Sequence, residues 1–283
     1  MKKISTVAEL GQQISTWKRA GKRIAFVPTM GNLHQGHLSL VSKAKKLADK
    51  VIVSIFVNPL QFDDKTDLSV YPRTLDADIQ QLSEVECDVV FTPTAEVMYP
   101  NGMEEQTRII VPGVDDKLCG QARPGHFDGV ATVVTKLLNM VQADVAVFGE
   151  KDYQQLLLIK KMVADLDLAV EIVGLPTFRE KSGLAMSSRN QYLTDPQRIQ
   201  AVEIYRILNA IKTEIEKGEA DFITLEQQAI DELKQLGFEP DYVDIRHAGS
   251  LEPAKSTDKM LRILLAARLG KARLIDNIAC ELK

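Results

Sequence analysis

The strongest constraint on the fold is a rhythm. Five short apolar or β-branched runs, RIAFVP (23–28), VIVSIFV (51–57), DVVFTP (88–93), DVAVFG (144–149) and VEIVGL (170–175), alternate with helical periodicity at about 37–49, 74–86, 127–141 and 152–165. Strands buried on both faces read as unbroken apolar runs, and strands alternating with helices feed a parallel sheet. The pattern predicts an α/β fold with a Rossmann-like, doubly wound parallel sheet. A helix over 5–20 should precede it, with Ser5 or Thr6 and Glu9 as a capping box. Such sheets bind ligands beyond the C-terminal ends of their strands, where strand order reverses. The polar clusters TMGNLHQGH, NPLQF and GEKDYQQ follow the first, second and fourth runs, at that edge.

Residues 95–126 interrupt the rhythm with YPNG, VPG and RPGHF around a possible strand at 107–111. From about 177 the pattern changes. FREKSGLAMSSRNQYL is a polar loop, and TDPQ starts a long helix with an N-cap and an early proline. A second helix is expected over 224–236. Strand-like runs follow at 241–248, 260–269 and 272–282, the last two separated by a GK hairpin break. Two domains are therefore expected: residues 1–176, and a smaller α+β domain over 177–283. No internal repeat or low-complexity tract interrupts them.

Charge narrows the partners. A net charge of −4 and a pI near 5.7 give no positive field to gather a nucleic acid. A small anion remains possible, because a helix N-terminus and a few local cations can hold phosphate. No apolar signal-peptide core follows the two N-terminal lysines, and no window approaches the roughly 20 apolar residues of a membrane span. A cytoplasmic protein without membrane contact is expected. The three cysteines, Cys87, Cys119 and Cys280, lack metal-ligand spacing and read as reduced, buried thiols.

The chemistry concentrates in GNLHQGH, which holds two of the four histidines. Its glycines have P-loop spacing, but His37 and Leu38 stand where a P-loop carries Lys and Ser/Thr. The dinucleotide G-x-G-x-x-G pattern is absent as well. What remains is H-x-G-H, His34 to His37, opening a helix after a buried strand. Two imidazoles beside unpaired N–H groups at the positive end of a helix can donate to polyphosphate oxygens, and Gly36 lets the backbone approach. A surface loop with incidental histidines, or a metal site lacking a nearby third ligand, are the alternatives.

That tetrad resembles the nucleotidylyl-transferase superfamily, and MSSRN (186–190) looks like the later loop with which such enzymes close on phosphates. Ser187 and Ser188 can donate, and Arg189 can offset charge on a leaving pyrophosphate. FVPTMGNLHQGHLSLV, SIFVNPLQF, YPRTL, RPGHF, FGEKDYQQL and AMSSRN occur in the order seen in the pantothenate synthetase family, and the similarity spans nearly the whole chain. The resemblance implies ATP- and Mg2+-dependent joining of (R)-pantoate to β-alanine through a pantoyl-adenylate, with release of pyrophosphate and AMP. It also implies a lid-like C-terminal domain and a homodimer. Another small-molecule nucleotidylyltransferase, an aminoacyl-tRNA synthetase and a nucleotide-sensing module without turnover are the competing readings.

Carried over by position, the resemblance makes His34 and His37 phosphate contacts, with His37 in the place usually assigned a general acid. Lys151 becomes a phosphate cation beside Arg189. Met30, Gly31, Asn32, Leu33, Gln35 and Gly36 complete the first ATP segment. Gly149, Glu150 and Asp152 add the ribose side, Phe178 a backbone adenine contact, and Met186, Ser187 and Ser188 the closing loop. Gln61 and Gln155 are implied to hold pantoate, although helix phase does not separate Gln155 from Gln154. Asn58 either shapes that pocket or contacts phosphate, and no residue is assigned as a metal ligand. Pro28, Met30 and Phe62 could face pantoate's gem-dimethyl group, Arg123 and His126 could border the site, and His247 reads as structural.

Overall fold

Each of the five apolar runs is a strand of one parallel sheet in a computed structural model that describes residues 1–62, 68–69, 71–114 and 116–282. They are β2 (Ile24–Thr29), β3 (Lys50–Ile55), β4 (Val89–Phe91), β5 (Val145–Gly149) and β6 (Glu171–Leu175). A sixth strand, β1 (Lys2–Ile4), pairs in parallel with β4 at the sheet edge. Three residues, two of them exposed lysines, carry too little periodicity to announce a strand. The order is β1-β4-β3-β2-β5-β6, so the chain winds outward from β2 in one direction and resumes with β5 on its other side. The strand order reverses between β2 and β5.

Helices cover the sheet: α1 (Val7–Arg19), α2 (Gln35–Leu47), α3 (Leu75–Glu84), the short α4 (Ala95–Met98) and α5 (Cys119–Ala122), α6 (His126–Val141) and α7 (Tyr153–Asp165). Leu38, Val41 and Ala44 of α2 pack on Val27, Val53 and Val147 in one core cluster. On the strands, Phe26, Ile52 and Phe91 are fully buried. At roughly 25 cal/mol per Å2 of apolar surface, such side chains each contribute about 1.5–3 kcal/mol.

The expected strand at 107–111 does not form. The Ile109 N–H donates to Thr132 Oγ1 at 3.0 Å, so this backbone finds a side-chain partner on α6. Ile110 is exposed, so its side chain adds no core packing that would hold the segment on the sheet. Cys119 departs from the buried thiol expected of it: Cys87 and Cys280 are buried, and Cys119 is half-buried at the start of α5.

By contacts the chain divides into two units, residues 1–150 with 154–176, and residues 151–153 with 177–283. In the second, β7 (Glu239–His247), β8 (Met260–Leu269) and β9 (Ala272–Glu281) form an antiparallel sheet in the order β7-β8-β9. Gly270, at φ 58°, turns β8 into β9. The long helix expected from TDPQ is broken into α8 (Asp195–Gln200) and α9 (Glu203–Glu216). Around Ala201 and Val202 the N–H groups of Ile204 and Tyr205 bond three residues back, a 3-10 tightening that interrupts the α ladder. Ile204, Ile207, Leu208 and Ile211 of α9, with Leu225 and Leu233 of α10 (Phe222–Gln235), cover Ile263, Leu265 and Ala267 of β8. Among the described residues no helix is long and apolar enough to cross a membrane.

Candidate active site

The histidine loop leaves β2 at Thr29, whose hydroxyl donates to the Ser54 carbonyl (2.8 Å) and accepts the Gly31 N–H (3.2 Å). Gly31 and Asn32 take φ of 79° and 50°. A Cβ on Gly31 would lie 3.0 Å from Asp78 Oδ2 and 3.1 Å from Ile55 Cγ2, so the φ favours glycine and any side chain would also press on the Asp78 carboxylate. Asp78 of α3 is 1% exposed and binds the loop with both oxygens. Oδ2 accepts from Asn32 N–H at 3.0 Å, and Oδ1 from Leu33 N–H at 2.8 Å and the Thr74 hydroxyl at 3.2 Å. The Leu33 side chain belongs to the core, which leaves only its backbone for a ligand.

His34 is the N-cap of α2. Its N–H donates to His37 Nδ1 at 3.3 Å, and the two rings lie 4.1 Å apart at 32°. Accepting that bond leaves Nδ1 of neutral His37 without hydrogen, so Nε2 carries the N–H. Exposed Gln35 and half-buried Gly36 follow, in the first turn where a helix has no internal partner for its N–H groups. The segment can donate several hydrogen bonds to an anion.

After β3, Asn58 caps a 3-10 turn over Pro59–Gln61. The Asn58 amide is fully buried and fully engaged. Its Nδ2 donates to Gly129 O (3.1 Å) and Gln61 Oε1 (3.1 Å), and its Oδ1 accepts from Leu60 N–H (3.3 Å) and the Tyr99 hydroxyl (2.7 Å). With those four partners the side chain has no donor or acceptor left for a phosphate, which corrects the contact reading. Gln61 Nε2 lies 3.0 Å from the Met30 sulfur. Its carbonyl accepts from His126 Nδ1 at 2.7 Å, and His126 Nε2 lies 3.2 Å from Arg123. The structure also separates the neighbouring glutamines of α7. Gln154 is buried, holding Cys119 N–H and the carbonyls of Val114 and Lys117, whereas Gln155 is half-buried and no described residue bonds its amide. Gly149 and Glu150, at the end of β5, are half-buried.

The second unit carries the remaining residues. Lys151 Nζ lies 4.0 Å from Asp152 Oδ2, and the Lys151 carbonyl accepts from Asn277 Nδ2 at 2.8 Å. Tyr153 donates to Ala248 O (3.0 Å) and stacks on the Arg262 guanidinium. Phe178 is exposed, and its carbonyl accepts the Met186 N–H at 2.9 Å. Ser187 caps the 3-10 turn Ser188–Tyr192 by accepting Arg189 N–H at 3.2 Å. Beneath this loop Arg179 forms a two-pronged ion pair with Asp276 (2.6 and 2.9 Å), donates to Gly183 O (3.1 Å) and lies over the Tyr205 ring. Buried Asn190 ties the loop to Ala185 O. His247 Nδ1 accepts from Gly249 and Ser250 N–H, a turn-capping role.

Asp78, Tyr99, Arg179 and Asp276 were not singled out in the sequence. Nothing local marks them: Asp78 meets partners 45 and 46 positions away, and Arg179 meets Asp276 across 97. Among the described residues no group of three or more His, Cys, Asp or Glu side chains forms a metal cage.

A family model described as pantoate-beta-alanine ligase matches residues 2–279. The chain belongs to that family. It is 56% identical over 279 residues to the pantothenate synthetase of Azotobacter vinelandii, covering 99% of each chain. It is 54% identical over 275 residues to that of Shewanella loihica, covering 97% of each. A crystal structure of pantothenate synthetase from Thermus thermophilus superposes with a TM-score of 0.91 at 43% identity, over 98% of this chain and 99% of that one. The pantoate-beta-alanine ligase of Francisella tularensis, complexed with beta-gamma ATP and beta-alanine, gives 0.83 at 37%, over 98% and 97%.

Proposed function

We propose that this chain joins pantoate to β-alanine at the expense of ATP, by way of a pantoyl-adenylate. A carboxylate is a poor acyl donor until its oxygen is bonded to AMP. One oxygen of the pantoate carboxylate attacks the α-phosphorus, and the bond from that phosphorus to pyrophosphate breaks. The β-alanine nitrogen then attacks the acyl carbon, the acyl–oxygen bond breaks with the electrons going to AMP, and the amine loses a proton as the amide forms. AMP departs with one oxygen that came from pantoate.

His34 and His37, with the first N–H groups of α2, donate to the phosphates as charge builds on them. The His34–His37 capping bond supports this reading, because it specifies the tautomer with a donor at Nε2. His37 is therefore an electrostatic stabiliser, and a pyrophosphate leaving group does not require it to give up its proton. Lys151 and Arg189 supply cations to the phosphates, Ser187 and Ser188 further donors, and Gly149, Glu150, Asp152, Phe178 and Met186 the nucleoside contacts. Gln61 and Gln155 hold pantoate. Magnesium would be carried mainly by the nucleotide rather than by a dedicated protein cage, as Mg2+ usually keeps several waters and binds substrate phosphates with one or two carboxylates. Bound there, it would neutralise phosphate charge. The enzyme works in the cytoplasm as a homodimer.

Pantoate labelled with 18O in its carboxylate tests the route. The adenylate pathway puts one 18O atom into AMP and none into pyrophosphate. Label in inorganic phosphate would mean activation at the γ-phosphorus, and unlabelled AMP would exclude the intermediate.

A further inference from the structure

The polar chain around Gln61 contains groups whose roles cannot be exchanged. Gly129 C=O can only accept, so the Asn58 end facing it is Nδ2; Leu60 N–H can only donate, so the other end is Oδ1. The backbone thus gives the sense of the Asn58 amide, and the Tyr99 hydroxyl, 2.7 Å from Oδ1 against 3.3 Å for Leu60 N–H, holds it there. Its second Nδ2 hydrogen goes to Gln61 Oε1, which turns Gln61 Nε2 toward the Met30 sulfur, a weak acceptor. The Tyr99 hydroxyl meets an oxygen and must donate.

We propose that Tyr99, acting through Asn58, is a positioning residue that locks Gln61 with its NH2 end presented, so that Gln61 recognises pantoate as a hydrogen-bond donor to one of its oxygens. The proposal rests on the functional reading above for the identity of the ligand. Tyr99 is suited to the task. It is 3% exposed, burial pushes its phenol pKa well above the usual tyrosine value, and the hydroxyl keeps its proton throughout the working pH range. Its ring is held by Phe56 and by Lys136 over its face. Gly129 completes the device, since a Cβ there would overlap the Leu60 carbonyl and force α6 away from the turn. The Gln61 backbone is fixed from the other side by His126, so a loss at Tyr99 frees the amide alone.

The test is Tyr99→Phe, with KM and kcat measured for each substrate. The expected result is a pantoate KM raised about tenfold, the size of one lost hydrogen bond, with kcat and the KM for ATP and β-alanine within about twofold. In a Gln61→Glu background, where the donor is already gone, Tyr99→Phe should change the pantoate KM by less than about twofold. An unchanged pantoate KM in folded Tyr99→Phe, equal shifts for all substrates, or effects that multiply in the double variant would each overturn the proposal. Should Tyr99→Phe not fold, the side-chain amide 1H–15N spectrum of the wild-type protein decides. The lock requires Asn58 NH2 hydrogens that exchange slowly with water and a nuclear Overhauser contact between the Gln61 NH2 and the Met30 side chain, and fast exchange or the lack of that contact would refute it. A wild-type protein that releases no pyrophosphate with pantoate would overturn the functional reading instead, and the amide spectrum would still judge the lock.

Discussion

Asp78→Asn should destabilise the first unit through the histidine loop. The wild-type carboxylate accepts two main-chain N–H groups, at 3.0 and 2.8 Å, from a loop whose Gly31 and Asn32 both sit at positive φ. An amide has one oxygen. In either orientation one of the two N–H groups faces an NH2, losing a charge-assisted bond and leaving a buried donor unsatisfied, for about 2–3 kcal/mol. At roughly 2–4 °C per kcal/mol for a unit in this size range, the melting temperature should fall about 4–12 °C. Because His34 follows the pinned residues directly, the KM for ATP should rise as well. Asp76→Asn, exposed two positions earlier on the same helix, is the control and should do neither. Thermal denaturation with parallel ATP titration reads both effects. A melting temperature within about 1 °C of wild type, together with an unchanged ATP KM, would refute the reasoning.

Lys151→Ala and Arg189→Ala should each leave the melting temperature near wild type and slow adenylation at least about 100-fold, the scale of one lost positioned donor; near-normal pyrophosphate release in either removes its role. Arg179→Ala strands Asp276, only 2% exposed at its side chain, and should cost the second unit about 3–5 kcal/mol in urea denaturation. Arg179→Lys should recover only part, because an ammonium cannot reproduce the two-pronged contact. Glu226 accepts the Ile245 N–H, yet burial, the leading cause, raises its pKa. The folded state therefore holds this proton more tightly than the unfolded chain, and stability falls as pH rises from the unfolded pKa through the folded one. Glu226→Gln keeps an acceptor without the charge, so it should melt higher than wild type at pH 7, with the gain gone near pH 4. An equal or larger gain at pH 4 would contradict this.

Local patterns were readable in the sequence, and long-range partners were not. Strand β8 matches its apolar run residue for residue, because a strand buried along nearly its whole length writes itself as a hydrophobic run, broken here only by Arg262 and Arg268. Strand β1 was invisible, since its three residues become a strand only by pairing with β4, far along the chain. The 107–111 segment has the β-branched composition of a strand, but Thr132 takes its backbone donor. Within the site, H-x-G-H was legible as a short motif on one helix start. The groups that hold the site were not: Asp78 for the histidine loop, Tyr99 for Asn58 and through it Gln61, and Arg179 with Asp276 for the serine loop all act across distances that only folding closes. Gln154 and Gln155 look alike in sequence, and only burial tells the structural amide from the available one.

The most direct test of the central claim is pyrophosphate release from MgATP with (R)-pantoate alone, followed by addition of β-alanine, with products identified by mass spectrometry. The account predicts one pyrophosphate per active site and a bound pantoyl-adenylate, then steady turnover to AMP and pantothenate once the amine is present. Pyrophosphate that appears only when β-alanine is present, or not at all with pantoate, would contradict it.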